Sequence, residues 1–154
     1  MTPDVSQWLA SWVSPYSPEM ALDRISHLQS TAIAGRALPF SILRQADDTV
    51  MGFVSLERSA AEPMRAALSF WLGTAFHGHG YMREALTSFL PAGFQHLCVE
   101  VIEGGAQNDN AASIAVMRAN GMTYVGARMV FAPSRQREEA CAFYEITPMQ
   151  LAGA

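Results

Sequence analysis

A strand that runs into a glycine-rich loop and then into a helix is the feature that most constrains this 154-residue chain. Residues 66–72 read as a short apolar strand with Phe70, Trp71 and Leu72 at its end. Gly73, Gly78 and Gly80 follow in one loop. Met82, Ala85, Leu86, Phe89 and Leu90 then recur at i, i+3, i+4, i+7 and i+8, which is one apolar helical face. Glycines let a backbone turn tightly and approach a ligand without Cβ interference. The start of the following helix presents unsatisfied N–H groups and the positive end of its dipole. Together they suit a phosphate or pyrophosphate. A glycine-rich turn with no ligand would look the same in isolation. The dinucleotide fingerprint is incomplete, because Arg83 stands where its third glycine belongs.

The rest of the chain places this unit in a mixed α/β sheet. Ser17, Pro18 and Glu19 are a helix start, with a serine cap, proline at the first position and an early carboxylate. Ala21, Leu22, Ile25, Leu28 and Ala32 follow at helical spacing, and Gly35 closes the segment. Before it, residues 5–13 form a short helix ended near Pro15, so residues 1–16 read as an N-terminal extension or short helix. Residues 39–44 and 49–56 form a hairpin across Asp47 and Asp48. Pro91 removes a helix donor, which predicts a kink or break there. Residues 99–106 read as a strand, Asn110 caps a second helix ending at Gly121, and residues 122–131 and 140–146 form two final strands around a polar loop at 134–139. Repeats and linkers are missing, so residues 1–154 are expected to form a single domain.

Composition removes several function classes. All ten basic residues are arginine. Without lysine there is neither a P-loop nor Schiff-base chemistry. A net charge of −4 argues against nucleic-acid binding through a basic patch and against a polybasic membrane anchor. No apolar stretch approaches the length of a membrane span. The start Met1-Thr2-Pro3-Asp4 is acidic and polar rather than signal-like. Cys98 and Cys141 form no CxxC pair, so a cytoplasmic protein with buried, reduced thiols is expected. His77 and His79 lie close in sequence but have no cysteine near them, so no metal site is expected.

A second constellation follows at Asn110-Ala111-Ala112-Ser113, with Met117-Arg118-Ala119-Asn120-Gly121-Met122 closing the same helix. With the run His77-Gly78-His79-Gly80-Tyr81-Met82-Arg83-Glu84-Ala85-Leu86, this resembles the GNAT superfamily of acyl-CoA-dependent N-acetyltransferases. More specifically it is similar to the branch that acetylates ribosomal-protein N-termini (RimJ/RimL-like). That branch has an aromatic-Gly-x-Gly-Tyr-x-x-Glu-Ala-Leu stretch, then Asn-x-x-Ser, then Gly-Phe. The likeness covers residues 36–147 and keeps both motifs in order and spacing.

The resemblance implies a mostly antiparallel sheet with a central, splayed parallel pair and helices on both faces. It implies acetyl-CoA as co-substrate, without a metal, and an amine acceptor such as a peptide N-terminus or a small molecule. The amides of Ala75, Phe76, His77, Gly78, His79 and Gly80, leading into Tyr81 and Met82, would cradle the pyrophosphate. Phe70, Trp71 and Leu72 would offer amides to the pantetheine arm and thioester. Asn110, Ser113 and Met117 would lie along the CoA arm and sulfur. Four departures stand out. Ala75 replaces a Gln or Arg usual in the wider superfamily. Met117 stands where many members have a tyrosine that protonates the thiolate. Pro91 and Gly93 interrupt a helix that is usually continuous. The family's first strand is not visible before Ser17, leaving one sheet edge missing or supplied by a partner, as in a homodimer.

Acetyl transfer needs a base for the amine, donors for the tetrahedral oxyanion and an acid for the thiolate. Glu103, on the strand bordering the expected splay, is the first candidate base, acting through water; a plain solvent-facing carboxylate is its alternative. Glu57 is the second candidate. Ser113 is the candidate acid, against a simple helix hydrogen bond to the i−4 carbonyl. His77 and His79 belong to the phosphate loop in this reading, away from the amine. Phe70 and Trp71 either wall the acceptor pocket or pack in the core. A domain of this fold that binds acyl-CoA without turnover is the alternative function.

Overall fold

In the computed structural model, which describes residues 3–10 and 16–153, Ser17 Oγ accepts the Met20 N–H at 3.2 Å and opens a helix over Pro18–Ile33. Gly35 leaves it in the left-handed region, at φ 67°. The short helix expected at 5–13 is a four-residue α1, Pro3–Ser6; residues 7–10 are turn rather than helix, and residues 11–13 lie outside the described residues. The long N-terminal helix is therefore α2.

Six strands form one sheet: β1 Ala37–Leu43, β2 Val50–Arg58, β3 Arg65–Leu72, β4 Val101–Gln107, β5 Thr123–Ala132 and β6 Arg137–Ile146. Their spatial order is β1-β2-β3-β4-β6-β5. Only β3 and β4 run parallel. Among the described residues no strand precedes α2, so β1 is an edge of the sheet.

Helix α3, Tyr81–Leu97, covers one face of the sheet, joined by α4, Ala111–Ala119, and a short α5, Pro148–Ala152. Met82, Leu86, Phe89, Leu90 and Leu97 on α3 are buried against Val54, Leu56, Ala66, Leu68, Leu72 and Ile102 of the strands. Strand alternation therefore puts Val54, Leu56, Leu68 and Phe70 on the α3 face, and Phe53, Ser69 and Trp71 on the other. The Phe40 ring on β1 meets Phe89 edge-on at 5.9 Å, in keeping with that assignment.

Pro91 does not end α3. The helix runs on to Leu97, because Leu86 and Leu90 before the proline and Leu97 after it are fully buried on the same sheet. The proline sits on the exposed side. Gly93 is likewise a packing residue: a Cβ there would lie 2.1 Å from Leu56 Cδ1. Arg58 donates to the Leu97 carbonyl from the end of β2, which sets a cation at the negative end of the helix dipole.

Two smaller expectations change, and one element is added. The polar segment 137–139 belongs to β6 rather than to a loop, paired with Val130, Phe131 and Ala132. Cys98 is exposed rather than buried, and it closes α3 in the left-handed conformation at φ 51°. Helix α5 is capped by Thr147 and Gln150 in a reciprocal box, a terminal motif the periodicity did not reveal.

Candidate active site

The parallel pair is short. Register holds only from Arg65 opposite Val101 to Leu68 opposite Gly104. Beyond those positions β3 and β4 separate, so the sheet opens where Ser69–Leu72 and Gly105–Gln107 would otherwise pair. The splay produces a cavity of about 950 Å³. Leu68, Phe70, Leu72 and Ala106 line it from the α3 face, and Phe53, Ser69, Trp71 and Gly105 from the opposite face. The cavity thus opens through the sheet.

On the α3 side the wall is the glycine loop. Thr74–Phe76 makes one 3-10 turn, and Gly78 and Gly80 take φ of 76° and 81°, which disfavour any residue with a Cβ. A Cβ added at either would meet nothing within 4 Å, so space lies open on the loop's surface. Gly80 caps α3 without a side-chain hydrogen bond, leaving first-turn N–H groups for a ligand. Phe76, His77, Gly78, Gly80, Tyr81, Met82 and Arg83 all line the cavity. His77 Nε2 donates to the Leu72 carbonyl at 2.9 Å, tying the loop to the end of β3. Ala75 and His79 do not line the cavity; the His79 ring stacks on Tyr81 at 5.6 Å.

The facing wall is the start of α4. Asn110 Oδ1 accepts the Ser113 N–H at 3.1 Å, and Asn110 is buried. The cap turns the first residues of α4 toward the cavity, which Asn110, Ala111, Ala112, Ser113 and Val116 line. Ser113 Oγ makes no hydrogen bond among the described residues, so the i−4 bond is not formed. Two converging helix N-termini and a left-handed glycine loop favour an extended anion with a slender arm. These residues fit the pyrophosphate and pantetheine of a CoA thioester.

Met117 is not part of this wall. It is almost wholly buried beneath β4, and Gly104 makes room for its sulfur. Glu103 also lies outside the cavity. Its carboxylate takes Arg128 Nη2 at 2.5 Å and faces Arg65 Nη1 at 3.7 Å, while Arg65 pairs with Glu145 at 2.6 Å. This charged recess, about 390 Å³, lies beside the cleft on the face away from α3: Ala67 and Glu103 line the recess, and Ser69 and Gly105, two residues on along each strand, line the cleft. Glu57 is exposed on β2 and lines neither.

What the periodicities did not reveal is the N-terminal segment. Asp4, Val5, Gln7, Trp8, Leu9 and Ala10 line the same cavity, together with Arg24 of α2. Trp8 was the visible signal, but nothing local ties it to strands more than forty residues away. Among the described residues no group of three or more His, Cys, Asp or Glu could hold a metal ion, and no helix is long and apolar enough to cross a membrane.

Comparison with known proteins agrees with this architecture. A family model for the acetyltransferase (GNAT) domain matches residues 1–123. The N-acetyltransferase p20 of Bacillus licheniformis, itself uncharacterized, is 26% identical over 118 residues, a match spanning 76% of this chain and 65% of that relative. The chain thus spans just under two thirds of that relative's length. The solved structure of Mycobacterium smegmatis RimJ in complex with CoA-disulfide superposes with a TM-score of 0.76 at 22% identity, covering 86% of this chain and 63% of that one. A Salmonella typhimurium acetyl transferase that modifies the N-terminal serine of a 50S ribosomal subunit protein gives 0.80 at 20% identity, covering 93% and 80%. At these identities the structural likeness is one of fold. With the family model matching most of its length, the chain belongs to the GNAT acetyltransferase domain family.

Proposed function

We propose that this protein transfers an acetyl group from acetyl-CoA to a primary amine. The observation that carries the reading is the cleft open through the sheet, with a ligand-ready glycine loop and the Asn110-capped helix on one side and an aromatic mouth on the other. The thioester would enter from the loop side and the amine from the face of Phe53, Ser69 and Trp71. Holding both in one line converts a bimolecular reaction into a local one.

In the reaction the amine nitrogen attacks the thioester carbonyl. The C–N bond forms, the oxyanion collapses and the C–S bond breaks. Backbone N–H groups freed by the splay near Phe70–Leu72 would stabilise the oxyanion. Ser113 Oγ would pass its proton to the departing thiolate and regain one from solvent water, so that the net proton lost by the amine is the one gained by the thiol. The amine proton would pass through water to Glu103, which stands two residues before Gly105, about 6.6 Å along the strand from the cleft wall. A water chain of that length fits a carboxylate held beside the mouth rather than inside it.

The acceptor would be a peptide N-terminus or a small-molecule amine. Two fold neighbours support the peptide: one is a RimJ and one modifies an N-terminal serine. Burial of Met117 supports a second reading, a module that binds acyl-CoA without turnover, because this residue replaces the tyrosine common in the superfamily. Release of free thiol from acetyl-CoA, with serine- and alanine-initiated hexapeptides and with polyamines, separates the two. Amine-dependent thiol release supports transfer; acetyl-CoA binding without release by any amine supports the module.

A further inference from the structure

The N-terminal segment lining the cleft has an anchor of its own. The Ser134 backbone N–H donates to the Ala10 carbonyl at 3.1 Å. Ser134 Oγ and Arg135 Nη1 both donate to the Leu9 carbonyl, at 3.5 and 3.4 Å. Two successive carbonyls of the segment are therefore held from the turn between β5 and β6. That turn does not need the segment for its own closure: the Arg135 N–H already reaches the Ala132 carbonyl at 3.0 Å, and Gln136 Nε2 the Pro133 carbonyl at 2.8 Å.

Arg135 is in turn locked. Its Nε and Nη2 donate to the two oxygens of Glu139 at 2.7 and 2.6 Å. Glu139 is only 9% exposed and also takes Arg137 Nε at 2.9 Å and Gln107 Nε2. Gln107 ends β4, three residues before the cap Asn110. A continuous hydrogen-bonded path thus joins the N-terminal segment, the β5–β6 turn and the strand that leads to the CoA-side helix. A forked guanidinium–carboxylate pair is the kind of contact that fixes orientation as well as distance.

We propose that the β5–β6 turn is a clamp that seats residues 5–10 as the outer wall of the acceptor half of the cleft, with Arg135 as its positioning residue. By strand alternation Gln107 and Glu139 lie on the same face of the sheet as Gly105, away from α3; calling that face the acceptor half rests on the acetyltransferase reading, in which the thioester occupies the loop side and the amine comes from the face of Phe53, Ser69 and Trp71. Val5 is buried and Trp8 lines the cavity, so seating the segment narrows the mouth and shapes what can enter. Losing the clamp releases the wall but leaves the glycine loop and the Asn110 cap untouched.

The test compares wild type with Arg135→Ala and with Glu139→Gln, which keeps the side-chain volume but removes the charge that locks Arg135. Amide hydrogen exchange reads the clamp directly, because the Trp8 and Leu9 N–H groups bond to the Val5 and Ser6 carbonyls at 3.1 Å each. Both variants should exchange at least tenfold faster at Trp8 and Leu9, beyond the uniform rise that any loss of global stability gives the β4 and β6 amides. The KM for a serine-initiated hexapeptide should rise at least fivefold, while the acetyl-CoA dissociation constant and kcat stay within twofold. Unchanged exchange at Trp8 and Leu9 overturns the clamp, and so does equal weakening of both substrates. If wild type binds no acetyl-CoA, the acetyltransferase reading falls instead, and the exchange comparison still decides whether this turn seats the segment.

Discussion

Gly104 and Met117 are a matched pair: a Cβ on Gly104 would lie 2.6 Å from the Met117 sulfur. The helix α4 residue fills the space the glycine leaves on β4, and the contact fastens α4 to the splayed strand. Gly104→Ala should destabilise the fold by about 1–3 kcal/mol through overpacking. Met117→Ala should cost about 2–5 kcal/mol through a cavity. Denaturant unfolding measures both, and Met117→Leu should leave acetyl-CoA affinity within twofold.

Pro91 predicts the opposite sign. It sits on the exposed side of a continuous α3, where it leaves the Thr87 carbonyl without its helical donor. Pro91→Ala restores that bond in a helix whose buried face is unchanged. We expect stabilisation of about 1–3 kcal/mol, a fraction of the usual proline penalty, read as a higher unfolding midpoint.

Glu139 makes stability depend on acid. Hydrogen bonds from Arg135, and secondarily from Arg137, hold its carboxyl down to about 2 from an ordinary 4.5. A carboxyl lowered in the folded state contributes stability that is fully present above its unfolded value and is lost as pH falls toward the folded one. Wild type should therefore lose stability between about pH 4.5 and 2. Glu139→Gln should be less stable than wild type at neutral pH, and the gap should close across that window in a series of thermal melts.

Ser113 and Glu103 divide the proton traffic in this account. Ser113→Ala should lower kcat by about 10²-fold or more with acetyl-CoA affinity nearly unchanged, as loss of an acid requires. Glu103→Gln should lower kcat with the acceptor KM nearly unchanged. A rise in acceptor KM alone for Glu103→Gln would make that carboxylate a binding group.

Much of the cleft was legible because its parts are local. The strand ending in Leu72, the glycines at 78 and 80, the apolar face of α3 and the Asn110 cap are each written in a short local run of residues. What escaped depends on distant partners. Trp8 lines the cleft in a segment whose Leu9 and Ala10 carbonyls are bonded by Arg135 and Ser134, from the far end of the chain. Met117 matched a family position near the CoA arm, yet the absent side chain at Gly104 draws it under the sheet. Pro91 reads as a breaker until the buried leucines on either side of it are counted. Arg137 and Glu139 look like loop residues by polarity, but cross-strand pairing with Ala132 and Val130 makes them strand.

Acetyl-CoA binding at the Gly80 loop is measured by calorimetric titration into wild type, Gly80→Val and Gly35→Val. Both glycines have positive φ and open space around them, at 81° and 67°, so valine strains each backbone similarly. Only Gly80 lines the cleft. Wild type should show one saturable site, Gly80→Val at least tenfold weaker binding and Gly35→Val little change. No binding at millimolar acetyl-CoA, or equal effects of the two substitutions, would contradict binding at that loop.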